Sequence, residues 1–356
     1  MSSESDTRFV GLDVHREVIA ICMIDARGER MRLGSERIPS RRAALRAWLA
    51  KEVREPARTK FLLEALSPAF WVIDVLQEIG LDVTLADPRS VRLIAESKKK
   101  SDRVDAHALA QSLRLGAFRP AYIATRAERA LRLLVRLRGD LRKTVTEAKN
   151  RVHSLLHMCD EHFEGSDVFG KGGRRWLGAL ALEEDVRFVL DMHLRTIDEG
   201  EEKIAVLDER IAASCAEDPD VALLRTIPGA GPAHAATIRA EAGDLRRFDT
   251  PGQFVSYCGL APGTRESAGK QRDGAITKQG NADLRYAIVA VSMGAARWSK
   301  EWRDRYARLR RRIKKYKARI AMARRLAVAI WHMAQNGEVF RYQERPPREK
   351  SAAEAA

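Results

Sequence analysis

The chain has 356 residues, 45% hydrophobic and 32% charged, a balance typical of a soluble globular protein with room for two or three domains. Its 64 Lys and Arg outweigh 49 Asp and Glu, giving a formal charge of +15 and a pI near 9.9, which points to a polyanionic partner, nucleic acid before an anionic membrane. No apolar run reaches the ~18 residues of a membrane span, residues 1–8 lack the apolar core of a signal peptide, and Cys22, Cys159, Cys215 and Cys258 form no Cys-x-x-Cys pair. These features argue against a membrane protein, a secreted disulfide framework and a cysteine zinc site, and predict reduced cysteines in the cytoplasm.

The first third alternates apolar runs with turns. Phe9–His15 and Val18–Asp25 read as strands, followed by a turn at Arg27-Gly28 and a third strand over Met31–Ile38. A helix over Arg41–Val53, a strand over Lys60–Ala65, a helix over Ala69–Ile79 and a strand over Leu81–Pro88 follow. Asp13 sits inside the first apolar run, where a carboxylate is costly unless something pairs with it; Glu64 ends another such run. The next helix opens with Asp102 and Asp105, spaced to share one helix face, in the first turn where acids are favoured. Lys98, Lys99, Lys100 and Arg103 surround the pair. Acids inside a basic segment suit a divalent cation meeting a polyanion; the same stretch also reads as a surface helix capped by Ser101 or Asp102. Four carboxylates converging on one point cannot all stay ionised without cations. Two Mg²⁺ (or Mn²⁺) ions about 4 Å apart would serve phosphoryl transfer there.

The middle is helical. From Arg126 to Met158 the chain has no proline, and Leu134, Leu137, Leu141, Val145, Ala148, Val152 and Leu155 form a heptad stripe. A glycine-rich break at Gly165–Gly173 precedes a second stripe, Leu190 to Ile211, which predicts an antiparallel coiled-coil hairpin for packing within one subunit or for oligomerisation. His153 and His157 have metal-ligand spacing but no third ligand in view, and read as residues of a solvated helix.

In the last third, Leu223–Ala236 has the form helix, Pro-Gly-x-Gly turn, helix: a helix-hairpin-helix whose Gly229 and Gly231 would let backbone N–H groups approach a DNA phosphate. An ordinary helix–helix turn has the same pattern. Residues 262–274 read as a long loop of Gly, Ser and basic residues, which suggests function. Ser267 lies there between Arg265 and Lys270, where a phosphate would be held, with Lys278 and Arg285 following. A serine needs activation by a base, a metal or cations to act as a nucleophile. Ser256 is the competing serine, but its surroundings read as helix. Residues 298–312 are aromatic and very basic, Lys314–Asn336 reads as a basic helix capped by Gly337, and the charged tail reads as disordered.

The segments Gly11-Leu12-Asp13-Val14-His15, Glu64-Ala65 and Asp102-Arg103-Val104-Asp105-Ala106 resemble the DEDD domain of insertion-sequence transposases of the IS-one-ten type, which is similar to the RuvC resolvases. Gly259-Leu260-x-Pro262, Ser267-Ala268-Gly269 and Ile276-Thr277-Lys278-x-Gly280-Asn281-x-x-Leu284-Arg285 resemble the same family's C-terminal domain, with Ala268 in place of a glycine. The resemblance implies an α/β ribonuclease H-like (RuvC-like) domain over residues 8–125, a coiled-coil region over 126–215, a mainly α transposase domain over 216–340 and a disordered tail over 341–356. It also implies metal binding by Asp13, Glu64, Asp102 and Asp105 and a Ser267 nucleophile, while the basic and glycine residues named above are the expected DNA contacts. A noncoding bridge RNA, assembly as dimers joined into a tetramer, and a bacterial, nucleoid-associated setting complete what it implies. Two rival readings remain: a structure-selective nuclease using water, and a non-enzymatic basic DNA binder.

Overall fold

The computed structural model describes residues 6–65, 69–87, 102–267, 270–276 and 279–341; at residues 102, 103, 264–267 and 270–275 it describes backbone alone. The chain divides into two units, Met1–Ala124 and Thr125–Ala356.

The first unit is a mixed α/β sheet domain. Its strands are β1 (Arg8–Val14), β2 (Val18–Ile24), β3 (Arg37–Pro39), β4 (Thr59–Glu64), β5 (Asp82–Ala86) and β6 (Pro120–Ala121). Helix α1 (Arg42–Glu52) precedes β4, α2 (Ala69–Glu78) precedes β5, and α3 (Asp102–Leu115) precedes β6. The sheet order is β3-β2-β1-β4-β5-β6. The β1–β4 and β4–β5 pairings are parallel and the others antiparallel. The central strands are near-continuous apolar runs because both sheet faces are covered. On one face Val10, Leu12, Ile21, Phe61 and Leu63 pack with Leu45, Trp48 and Leu49 of α1 and with Val72, Ile73 and Leu76 of α2. On the other, Ala20, Cys22 and Ile24 meet Ala106 and Ala110 of α3, while Leu62 and Ala86 meet Leu109.

Helix α3 reaches this face through Gly11. A methyl group on Gly11 would collide with the Ala106 carbonyl oxygen and would fall 2.6 Å from the Ala110 amide nitrogen. The expected strand over Met31–Ile38 shrinks to the three residues of β3. Arg30 makes only an isolated bridge to Ile24, and Gly34 N–H turns instead to Glu52 Oε1 at 3.2 Å. With Ile38 its one fully inward apolar residue, this polar stretch cannot hold a longer ladder.

The second unit is mostly helical: α4 (Arg126–Met158), α5 (Lys171–Ala179), α6 (Glu184–Ser214), α7 (Pro219–Arg225), α8 (Pro232–Ala242), α9 (Pro251–Tyr257), α10 (Ala282–Trp298), α11 (Lys300–Arg312) and α12 (Lys315–Asn336), with one β-hairpin, β7 (Pro262–Ser267) and β8 (Lys270–Ile276). Thr125 starts α4 with a capping box completed by Glu128. Helices α4 and α6 lie antiparallel, as the Arg138–Asp208 pair and the Lys149–Glu201 pair at 2.6 Å require. Val145, Ala148, Val152 and Leu156 of α4 pack there with Leu190, Ile197 and Ile204 of α6. Gly200 leaves the space that Val145 fills. Leu137, expected in the stripe, is 52% exposed. Beyond it, Leu131 and Val135 of α4 and Ile211 of α6 turn into the core formed with α7–α10 and α12.

Two readings are corrected. The glycine-rich break contains α5, because Gly173 lets the helix lie against the Val168 backbone. The long loop over 262–274 is the β7–β8 hairpin. The tail beyond residue 341 lies outside the described residues.

Gly11→Ala should lower stability by about 1–3 kcal/mol, the usual cost of overpacking. Gly139→Ala, on an open face of α4 with nothing within 4 Å, should raise it by about 0.5–1 kcal/mol. Shifts of the urea midpoint in opposite directions are the expected result.

Candidate active site

Two strands bring two carboxylates level. The β1–β4 register pairs Leu12 with Leu63, so Asp13 and Glu64 are the next residues on adjacent parallel strands. Asp13 stands opposite Ala20, whose side chain packs against α3. Leu62 also faces α3, and Glu64, two residues on, shares its face. Helix α3 runs opposite to β1. Its Ala106 sits over Gly11, and Gln111 Nε2 donates to Gly28 O at 3.0 Å, beyond the Phe9–Ile24 end of the sheet. The N-terminal turn of α3, with Asp102 and Asp105, is therefore directed toward the Asp13 end.

Asp13 is mostly buried, and its Oδ2 accepts from Nε2 of the exposed His15 at 2.9 Å. Asp105 is half-buried. For Asp102 and Arg103 the backbone alone is described; Lys98, Lys99 and Lys100 lie outside the described residues. Among the described residues no three His, Cys, Asp or Glu side chains stand at the separation of ligands to one ion, and the Asp102 side chain is not among them. The side chains at this end carry carboxylate oxygens, the kind of ligand that hard divalent cations take.

In the second unit Ser267 ends β7 and pairs with Lys270, the first residue of β8. Arg265 pairs with Arg272 one step further along the ladder's same face. The side chains of Arg265, Ser267 and Lys270 lie outside the described residues, as does Lys278. The serine stands about 17 Å along the strand from Pro262. The base of the hairpin is closed on itself: Asn281 N–H donates to Tyr257 O at 3.0 Å, and a methyl on Gly280 would fall 2.5 Å from Gly259 N. The Asn281 side-chain oxygen accepts from Asp283 N and Leu284 N, both at 3.0 Å, capping α10.

Glu241 holds this base. Its side chain is fully buried near the end of α8. Asn281 Nδ2 donates to Glu241 Oε2 at 2.6 Å, and Arg136 reaches both carboxylate oxygens at 2.8 and 2.9 Å. Tyr257 Oη donates to the Glu241 carbonyl at 3.1 Å. The hydrogen bond to Glu241 raises the Arg136 pKa above its ordinary value. Sequence reasoning missed Glu241; the signal is one acid in the alanine-rich run Ala240-Glu241-Ala242, where a charge has no apolar reason to be.

Of the other expected contacts, Arg285 donates to Cys258 O at 3.4 Å, at the end of α9. Gly229 has a φ of 83°, and a methyl there would fall 2.6 Å from the Gly294 backbone of α10. Gly231 precedes α8 with open space around it. Ser256 is helical and exposed on α9. His153 packs edge-on against Phe169.

A mixed α/β domain with paired acids on its sheet precedes a mostly helical unit, and the comparisons identify the chain as a transposase, an enzyme that acts on DNA. Residues 10–159 match the family model for the DEDD transposase domain of IS110 elements, and residues 221–307 match the model described as "Transposase IS116/IS110/IS902 family". The chain belongs to this IS110-type transposase family. It is 26% identical over 352 residues to a "Probable family 20 transposase" of Pseudomonas aeruginosa, covering 93% of this chain and 98% of that protein. It is 24% identical over 352 residues to the "Transposase for insertion sequence element IS1111A" of Coxiella burnetii, covering 95% and 93%. The DEDD domain implies dependence on a divalent cation, and among the described residues no helix is long and apolar enough to cross a membrane.

Glu241→Ala should cost about 3 kcal/mol by leaving Arg136 and Asn281 without their buried partner. Chemical denaturation reads the loss, and Glu241→Gln, which keeps the hydrogen bond from Asn281, should lose less.

Proposed function

We propose that this transposase cuts and rejoins DNA through a phosphoserine-linked intermediate formed by Ser267, with Asp13, Glu64, Asp102 and Asp105 holding Mg²⁺ or Mn²⁺. The observation that carries the reading is the pairing of two features in one chain: Asp13 and Glu64 level on adjacent strands with the first turn of α3 directed toward them, and a serine at the far end of a hairpin with a clamped base. The strand order, with α3 laid across β1, supports a ribonuclease H-like, RuvC-like first unit.

In this reading Ser267 Oγ forms a bond to the scissile phosphorus as the bond to the leaving deoxyribose oxygen breaks. The serine loses its proton and the leaving oxygen gains one. A free DNA hydroxyl then attacks the phosphoserine, restores the serine and joins the new strand. The bound cation would offset charge on the phosphate and its leaving oxygen. Lys270, paired with Ser267 across the hairpin, and Arg265 would hold the phosphate for in-line attack. His15 would orient Asp13.

Lys98, Lys99, Lys100, Arg103, Lys278, Arg285, Gly229 and Gly231 extend the DNA contact, with α7, its turn and α8 as a helix-hairpin-helix. The turn through Gly229 supports that part. Guidance by a noncoding bridge RNA rests on the family resemblance. Homo-oligomerisation through a coiled-coil hairpin of α4 and α6 is supported by Leu133 and Leu137, exposed one helical turn apart on α4.

The test uses the full chain with donor DNA, target DNA and the element's flanking noncoding RNA, quenched in detergent. Wild type should give protein-linked DNA. Ser267→Ala should lower adduct and strand transfer by roughly 10³-fold or more. Asp13→Asn and Asp105→Asn should do the same, and a chelator should stop the reaction until Mg²⁺ or Mn²⁺ is returned. Cleavage that survives Ser267→Ala without an adduct would make water the nucleophile and overturn the serine mechanism.

A further inference from the structure

Residues 297–325 carry fourteen Lys and Arg against two acids, Glu301 and Asp304, so most of the chain's formal charge of +15 gathers on α11, α12 and the end of α10. Helix α11 turns Trp302, Tyr306 and Leu309 inward, with Trp302 in the core and the other two packed against it. Arg308, Arg310, Arg311, Arg312, Lys314, Lys315 and Lys317 are exposed, and none has an acidic partner among the described residues. The row lies beyond both family models, which end at residues 159 and 307.

Helix electrostatics explains three of these seven. Arg310, Arg311 and Arg312 fill the last turn of α11, where the dipole favours cations. Lys314, Lys315 and Lys317 do the reverse: they crowd the N-terminus of α12, whose first turn has no acid. Cations at a helix N-terminus oppose the dipole, and their neighbours repel them. Folding alone gives no reason for this arrangement.

We infer that this row holds the phosphodiester backbone of a nucleic acid, without reading its sequence. A helix of 13 residues spans about 20 Å, long enough for its cations to meet several phosphates of one strand. A strand seated there neutralises the repulsion at the α11–α12 junction. The surface would grip DNA or RNA during the reaction proposed above, but binding here needs neither the acids nor Ser267, so its test is independent of that chemistry.

The test measures fluorescence anisotropy with a chelator present, so that no cleavage occurs. The probes are two duplex DNAs of unrelated sequence and one single-stranded RNA, titrated between 50 and 200 mM salt. Arg308→Gln/Arg311→Gln/Arg312→Gln should weaken binding and reduce the slope of log affinity against log salt by about 2–3 on at least one class of probe, and where duplex DNA responds, equally on both duplexes. The class that responds tells duplex from single strand. Lys314→Gln/Lys315→Gln/Lys317→Gln should weaken binding in the same way while raising the unfolding temperature, which a merely structural role would not do; it also covers the case in which the arginine variant does not fold. Unchanged affinity and slope with every probe would overturn the inference. So would nucleic-acid binding left intact while binding to phosphatidylserine vesicles is lost.

Discussion

The first unit depends on one missing side chain. Without a Cβ at Gly11, α3 lies directly on β1, with the Ala106 carbonyl against the strand backbone. That contact sets the height of α3 above the sheet, and the direction of the helix brings its first turn toward Asp13 and Glu64. Any larger residue would lift the helix and move its first turn away from Asp13 and Glu64, the carboxylates proposed above to share a cation with it. A small constraint in the core thus acts on the chemistry at the rim.

The second unit solves a different problem. A two-stranded hairpin with few apolar residues has little stability of its own. Here its two ends are tied by the Asn281–Tyr257 backbone hydrogen bond, and both are held by Glu241. Burying a carboxylate is costly, and it is accepted here because Arg136 and Asn281 satisfy both oxygens. The clamp fixes where the hairpin starts, and Ser267 lies at its far end. Helix α4 supplies Arg136, so the long helix also braces the hairpin's base.

Much of this was legible in the sequence. Asp13 and Glu64 stood out because a carboxylate inside or at the end of an apolar run needs a reason, and the register shows them side by side. The extent of α4 was readable from the absence of proline between Arg126 and Met158 and from the heptad spacing. The serine hairpin was not legible, because its strands are mostly glycine and polar or charged residues, with Thr264 and Ile276 their only β-branched ones. Helix α5 was hidden by its glycines, of which Gly173 serves close packing against Val168 while Gly172 and Gly178 face open space. The end of the heptad stripe was also hidden: Leu137 fits the spacing, yet α4 there has begun to turn its apolar face from α6 to the C-terminal core. The role of Glu241 was invisible because its partners, Arg136 and Asn281, are more than a hundred and some forty residues distant. The lone acid in its alanine-rich run marks the position locally, but nothing local names those partners.

The central claim is that Ser267 carries the DNA strand between cutting and joining. The most direct measurement traps the reaction of the wild-type chain, digests the DNA and protein, and locates the nucleotide remnant by mass spectrometry. The expected result is a peptide containing Ser267 with a phosphodiester-linked nucleotide on that residue. A remnant on another residue such as Ser256, or cleaved DNA with no remnant on the protein, would contradict it.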